Sequence, residues 1–169
     1  QSIQSRLTAV LQSMPPLAIA VSGGIDSLTL AVAAHRQVQG TVMFHALSQA
    51  VPVEATARVR QFAAQEGWTL HMLDAGEQRD GRYRANPVNR CYYCKHNLYQ
   101  SIASFTAQTI ASGTNLDDLG DFRPGLQAAA EQGVVHPFVE ARISKADIRR
   151  LAAGLGLGDI QHLPASPCL

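Results

Sequence analysis

Residues 17–21 read Leu-Ala-Ile-Ala-Val without a polar break, between Pro15-Pro16 and Ser22-Gly23-Gly24. A run so short and so uniformly apolar fits a strand covered on both faces, the usual situation in a parallel sheet. From position 26 to 39 the pattern turns helical, with Leu28, Leu30, Val32 and Ala33 as its apolar positions and Gly40 where a C-cap would stand. A strand therefore gives way at once to a helix across a glycine-containing loop. The unit repeats: residues 41–47 predict a second strand, 54–66 a helix closed by Gly67, and 69–73 a third strand carrying Leu70, Met72 and Leu73. Helices over 95–106, 124–132 and 144–154 alternate with strands at 108–112 and 134–137, and a first helix over 3–13 carries Ile3, Leu7, Val10 and Leu11. Ser144 with Asp147 three residues on approaches a capping box. Parallel neighbours need crossovers and helices supply them, so the succession predicts an α/β fold: a doubly wound, mainly parallel five-stranded sheet with helices on both faces.

A length of 169 residues suits one domain spanning 1–169 with a sizeable core. Hydrophobic residues at 46% and charged ones at 16% exclude a disordered or collagen-like chain. Lys and Arg (14) nearly balance Asp and Glu (13), so no global basic field argues for nucleic acid or an anionic membrane, and an anion site has to be local. No apolar stretch approaches the roughly 18 residues of a spanning helix, and the first residues lack a signal-peptide core, which predicts a cytoplasmic protein. The chain opens at Gln1 without a Met and stops directly after Cys168, as expected of part of a longer protein. Three cysteines, two of them in Cys91-Tyr92-Tyr93-Cys94, point to metal or sulfur chemistry more than to a disulfide framework.

The sharpest local feature is Ser22-Gly23-Gly24-Ile25-Asp26-Ser27, placed after the first strand and opening the next helix. Glycines let backbone N–H groups approach an oxyanion, a helix N-terminus adds unpaired donors, and Ser22 and Ser27 add hydroxyls, so phosphate binding explains the loop better than a plain tight turn with a cap. It is neither a Walker A loop, since no GxxxxGK[ST] is present, nor a GxGxxG fingerprint. Residues 74–90 form a long loop with almost no apolar periodicity, and Arg79, Arg82, Arg84, Arg90 and Lys95 oppose Asp80 alone between positions 79 and 95. That balance suits an anionic ligand. Cys91 and Cys94 read as a redox pair, as two ligands of a zinc or iron–sulfur site, or as packing residues. Asp117 and Asp118 read as groups orienting Mg²⁺ or substrate, or as capping acids of a solvated loop. The six histidines show no paired metal spacing and none is assigned.

The six residues SGGIDS resemble the pyrophosphate-loop signature SGGxDS of the PP-loop ATP pyrophosphatases, which split ATP between its α and β phosphates to adenylate a substrate. Asn89-Arg90-Cys91-Tyr92-Tyr93-Cys94-Lys95, Gly113-Thr114-Asn115-Leu116-Asp117-Asp118 running on to Gly120-Asp121-Phe122-Arg123-Pro124-Gly125-Leu126, and Pro164-Ala165-Ser166-Pro167-Cys168-Leu169 narrow the likeness. Over nearly the whole chain they resemble the ATP-dependent sacrificial sulfur transferases that mature the nickel-pincer cofactor of lactate racemase. Members of that family continue past the position of Cys168 into a further region.

The resemblance implies ATP and Mg²⁺ as cofactors. Ser22, Gly23, Gly24, Asp26, Ser27, Gly113 and Thr114 would hold the nucleotide, with Asp26 meeting Mg²⁺. Arg90, Asp117, Asp118 and Arg123 would face an anionic pyridinium mononucleotide carrying the carboxylate to be adenylated. Cys168 would be the sulfur nucleophile, either giving up its own sulfur or joining Cys91 and Cys94 around a [4Fe–4S] cluster. The resemblance further implies a homo-oligomer; hydropathy and the balanced charge argue against a membrane and against nucleic acid as partner. Rival readings are a tRNA-thiolating or amidating PP-loop enzyme, which tyrosines at 83, 92 and 93 able to stack bases keep open, and a non-catalytic nucleotide-binding module.

Overall fold

A computed structural model describes residues 2–74, 90–120 and 124–163. The elements run α1 (Ile3–Ser13), β1 (Leu17–Ala20), α2 (Ile25–Gln37), β2 (Val42–Ala46), α3 (Val53–Glu66), β3 (Thr69–Leu73), α4 (Arg90–Phe105), β4 (Thr109–Ala111), a 3-10 turn (Leu116–Gly120), α5 (Pro124–Glu131), α6 (Pro137–Glu140) and α7 (Lys145–Gly154). The four strands form one sheet in the order β3-β2-β1-β4, and every pairing is parallel.

Parallel register explains how the strands share out their side chains. Ile19 pairs with Met43 on one side and Ala111 on the other, while Ala18 pairs with Val42 and Ile110. Leu17, Ile19, Val21, Met43 and Ala111 therefore enter a core on one face, under α1, α2, α6 and α7. Ala18, Phe44 and Ile110 enter a second core with Leu98, Tyr99 and Ile102 of α4 and Ala129 of α5. Helices cover both faces, as the alternating pattern predicts. α2 is apolar almost all round, with Leu28, Leu30, Ala31, Val32, Ala33 and Ala34 buried, because other helices close over its outer side.

Three local differences from the sequence expectation have physical causes. The fifth strand over 134–137 shrinks to a single parallel bridge between Ala111 and Val135; Pro137 lacks an N–H for a ladder and instead opens the short α6. α4 begins at Arg90, five residues before the expected 95, so the Cys91–Cys94 pair lies within its first turns. α2 ends at Gln37 with Val38 as its C-cap, and Gly40, at φ 87°, makes the following turn instead. Gly67 takes the left-handed C-cap of α3, and Ser144 and Asp147 form a complete capping box on α7.

Candidate functional site

β1 lies inside the sheet, and the chain leaves it first toward β2 and β3, then returns to pair β4 on its other edge. Loops after β1 and β4 therefore part at their carboxyl ends, where open α/β sheets form a ligand crevice. Ser22–Ser27 is the first of these loops and Gly113–Asn115 belongs to the second. They touch so closely that a methyl group on Gly113 would stand 2.8 Å from the Ser27 backbone nitrogen and 2.9 Å from the Asp26 carbonyl carbon. Gly23 has φ 94°, and a methyl group there would meet the Ala55 carbonyl oxygen of α3 at 2.7 Å. Both glycines are thus demanded by close approach, and at Gly23 by the backbone as well.

Within the first loop, the Ser22 N–H donates to Ser27 Oγ at 2.9 Å, the two hydroxyls lie 3.2 Å apart, and the Gly24 N–H donates to Ser22 Oγ at 3.3 Å. Gly24 is the N-cap of α2 and supplies no capping side chain, so the first-turn N–H groups are left for an anion. Asp26 stands in that turn. Its Oδ1 accepts from Lys145 Nζ at 2.7 Å and its Oδ2 from Asn115 Nδ2 at 3.3 Å. Burial nevertheless pushes the Asp26 carboxyl above its ordinary 3.8, outweighing the Lys145 hydrogen bond and charge, and the nearby Asp118 pushes the same way. Lys145 and Arg149 both act against that shift, and a buried carboxylate at the mouth of a glycine loop suits a divalent cation.

The loop after β4 is held by hydroxyls. Ser112 Oγ lies 2.7 Å from His136 Nδ1 and 2.9 Å from Thr114 Oγ1, and it accepts the Thr114 N–H at 3.3 Å. Burial lowers the His136 pKa against the opposing charge of Asp118, leaving a neutral imidazole at neutral pH. Asn115 is buried; its N–H donates to Asp118 Oδ2 at 3.0 Å and its Oδ1 accepts the Asp117 N–H at 2.9 Å. The Leu116 N–H donates to the Ile143 carbonyl at 3.1 Å, tying this loop to the segment that leads into Lys145.

α3 supports the first loop from its own side. Arg58 donates to the Gly23 carbonyl at 2.6 Å. His45, buried at the end of β2, donates from Nδ1 to the Val21 carbonyl at 2.7 Å, so its Nε2 accepts from Thr56 Oγ1 at 2.8 Å. Burial holds its pKa below the ordinary value, which keeps this pairing neutral.

Ser22, Gly23, Gly24, Asp26, Ser27, Gly113 and Thr114 thus meet in one crevice, with Asp118 close enough to act on Asp26. Asp118 also caps the 3-10 turn through Asn115, and Asp117 is exposed. Arg90 and Cys91 open α4, and Cys94 follows one turn on, partly buried. Arg123, Cys168 and the basic residues 79–84 lie outside the described residues. Among the described residues, no three His, Cys, Asp or Glu side chains gather as a metal group. Sequence reasoning missed Lys145, Arg58 and the role of Asn115. Lys145 reads only as the first residue of a capped helix, and its partner Asp26 is 119 positions away.

No protein-family model matches the chain. An uncharacterized protein of Synechocystis sp. is 36% identical over 156 residues, 89% of this chain and 58% of that protein. The pyridinium-3,5-bisthiocarboxylic acid mononucleotide synthase of Lactiplantibacillus plantarum is 28% identical over 163 residues, 91% of this chain and 58% of that protein. The chain thus spans 58% of the length of these curated relatives. Among solved structures it is similar to the NH3-dependent NAD synthetase of Campylobacter jejuni, with TM-score 0.76 and 14% identity over 97% of this chain and 77% of that one. It is also similar to the NMN synthetase of Francisella tularensis, with TM-score 0.72 and 16% identity over 97% of this chain and 74% of that one.

Proposed function

We propose that this chain, which has the PP-loop ATP pyrophosphatase fold, is the ATP-binding part of an enzyme that adenylates a carboxylate of a pyridinium mononucleotide and replaces the activated oxygen with sulfur. The observation that carries the ATP half is the junction of the Ser22–Ser27 loop with Gly113 at the β1/β4 crevice, the Asp26–Lys145 pair beside it. The sulfur half is supported by the likeness to the bisthiocarboxylic acid mononucleotide synthase and by Cys168.

In this reading the α2 N-terminus and the loop amides hold the phosphates leaving as pyrophosphate, and Lys145 moves from Asp26 to a phosphate oxygen when the nucleotide binds. Asp26 and its neighbour Asp118 are the carboxylates that fit Mg²⁺, which would neutralise phosphate charge there. A substrate carboxylate oxygen attacks the α-phosphorus and pyrophosphate leaves. A thiolate then attacks the acyl carbon and AMP departs; a base removes the Cα proton, the Cβ–S bond breaks with its electron pair on sulfur, and a thiocarboxylate is left on the product and dehydroalanine in the chain. Cys168 is the thiol proposed for that step. In a second version, Cys91 and Cys94, one turn apart on α4, join Cys168 around an iron–sulfur cluster. One domain over 1–169 is proposed for the ATP-binding part.

Intact-mass measurement of anaerobically purified protein, before and after ATP, Mg²⁺ and the pyridinium dicarboxylate mononucleotide, tests the proposal. A loss of about 34 Da, one H₂S, together with thiolated product establishes sacrifice of the cysteine sulfur. Thiolated product at unchanged mass with broad absorption near ~400 nm selects the cluster version. The likeness to an NH3-dependent synthetase makes amide formation from ammonia, without thiolation, the outcome that removes sulfur transfer.

A further inference from the structure

The first turns of α3 pack directly against the Ser22–Ser27 loop: Ala55 closes on Gly23, Thr56 reaches the β1 end through His45, and Arg58 donates to the Gly23 carbonyl at 2.6 Å. Ala55 and Thr56 need no charge to play these parts. Arg58 brings one, in a partly buried position. Three other cations of the fold have carboxylates: Arg36 forks onto Glu66 through two bonds of 2.9 Å, Arg150 meets Asp147 at 2.9 Å, and Lys145 meets Asp26 at 2.7 Å, while Arg149 donates to the Gln161 carbonyl at 2.6 Å, away from the Ser22–Ser27 backbone that Arg58 holds. Among the described residues no carboxylate lies within ion-pair distance of Arg58, and Glu54, one turn earlier on the same helix, makes no pair with it.

A guanidinium half-buried beside a carbonyl, with no carboxylate at hand among the described residues, is placed to take an anion. One of its five N–H donors is spent on Gly23, and a planar fork with donors to spare suits bidentate phosphate. We propose that Arg58 binds the pyrophosphate portion of ATP, using one arm to fix the Gly23 carbonyl and the others on phosphate oxygens. Lys145, with Arg149 near enough to act on Asp26, then flanks the loop at its Asp26 end and Arg58 at its Gly23 end. The assignment rests on the nucleotide reading above and deepens it, placing on α3 a contact selective for the leaving half of the substrate.

Calorimetric titration of the chain with ATP, inorganic pyrophosphate and AMP, each with Mg²⁺, separates this role from simple bracing. Arg58→Gln keeps an amide donor for the Gly23 carbonyl and removes the charge; Arg58→Lys keeps the charge. The glutamine variant is expected to bind pyrophosphate and ATP about tenfold or more weakly, the scale of one charge-assisted hydrogen bond. AMP affinity stays unchanged, and lysine recovers part of the loss. A second readout needs no variant: pyrophosphate, but not AMP, should protect Arg58 of the unaltered chain from phenylglyoxal, scored by peptide mass. Unchanged pyrophosphate affinity in Arg58→Gln, an equal loss for AMP, or unprotected Arg58 overturns the assignment alone. An unaltered chain that binds neither ATP nor pyrophosphate removes the nucleotide reading and this assignment with it.

Discussion

Asp26 has a lysine at 2.7 Å and an amide at 3.3 Å, yet burial leaves its carboxyl above 3.8. The sign of its contribution to stability follows. A folded-state pKa raised above the unfolded value means that the folded chain holds this proton more tightly. The ionised carboxylate therefore costs stability above the folded pKa, and the cost is relieved as pH falls toward the unfolded value. A residue that burdens the fold at neutral pH while standing in the crevice proposed to take the nucleotide is expected to be kept for binding. Asp26→Asn preserves the shape and removes the charge, keeping one acceptor for Lys145 Nζ and giving up the other at Asn115 Nδ2. At pH 7 it should weaken Mg²⁺-dependent ATP binding by about tenfold or more, the scale of a charge-assisted contact, while the melting temperature stays level or rises. In the parent chain ATP binding should decline at a higher pH than an ordinary aspartate would impose, and the asparagine variant should lose that acid limb. Parallel ATP titrations and melts from pH 5 to 8 check both; a variant that binds ATP normally removes Asp26 from the site.

Lys145 reaches Asp26 because α7 starts where it does, and the start is fixed by a reciprocal cap: the Asp147 N–H donates to Ser144 Oγ and the Ser144 N–H to Asp147 Oδ2, each at 3.2 Å. Ser144→Ala should lower stability by about 1 kcal/mol, the usual cost of an N-cap, seen as a reduced urea midpoint at unchanged slope. The Ser144 backbone hydrogen bond holds the Asp147 carboxyl below its ordinary 3.8, so its stabilisation is present above that value and lost as pH falls through the depressed one. The gap between the parent chain and Asp147→Asn should accordingly close in strong acid. This cap was legible in the sequence because its two partners are three residues apart, as were Gly67 and the strand–SGGIDS–helix unit. What stayed hidden was set by distance along the chain. Nothing near Lys145 or Arg58 marks either as a neighbour of a loop 119 or 35 positions away. The early start of α4 was hidden differently: Arg90 to Cys94 mixes aromatic and polar residues without a clear apolar stripe, and packing of Leu98, Tyr99 and Ile102 against the sheet extends the helix over them.

Across the whole molecule, two cores share one sheet, and the crevice lies where the chain's two directions of winding part, so it draws on α2, α3, the β4 loop and α7 together. Binding there should tie these elements to one another and register in the stability of the entire fold. A ligand that binds only the folded chain adds about 2.7 kcal/mol at a hundredfold excess over Kd. For a chain of this size that corresponds to a rise in Tm of roughly 5–10 °C. Mg²⁺ with ATP should produce such a shift, growing with the logarithm of nucleotide concentration. Two variants show whether the junction or general sturdiness is responsible. Leu28→Ala empties the fully buried α2 core position and should cost about 2–5 kcal/mol, lowering the starting Tm while leaving the nucleotide-induced rise intact. Gly113→Ala sets a methyl group 2.8 Å from the Ser27 nitrogen and pushes the β4 loop off the Ser22–Ser27 loop. Its own cost should be about 1–3 kcal/mol, and the nucleotide-induced rise should largely disappear. Equal shifts in Gly113→Ala and the parent chain would mean that ATP does not bind across the two loops, because a ligand held by both cannot ignore their separation.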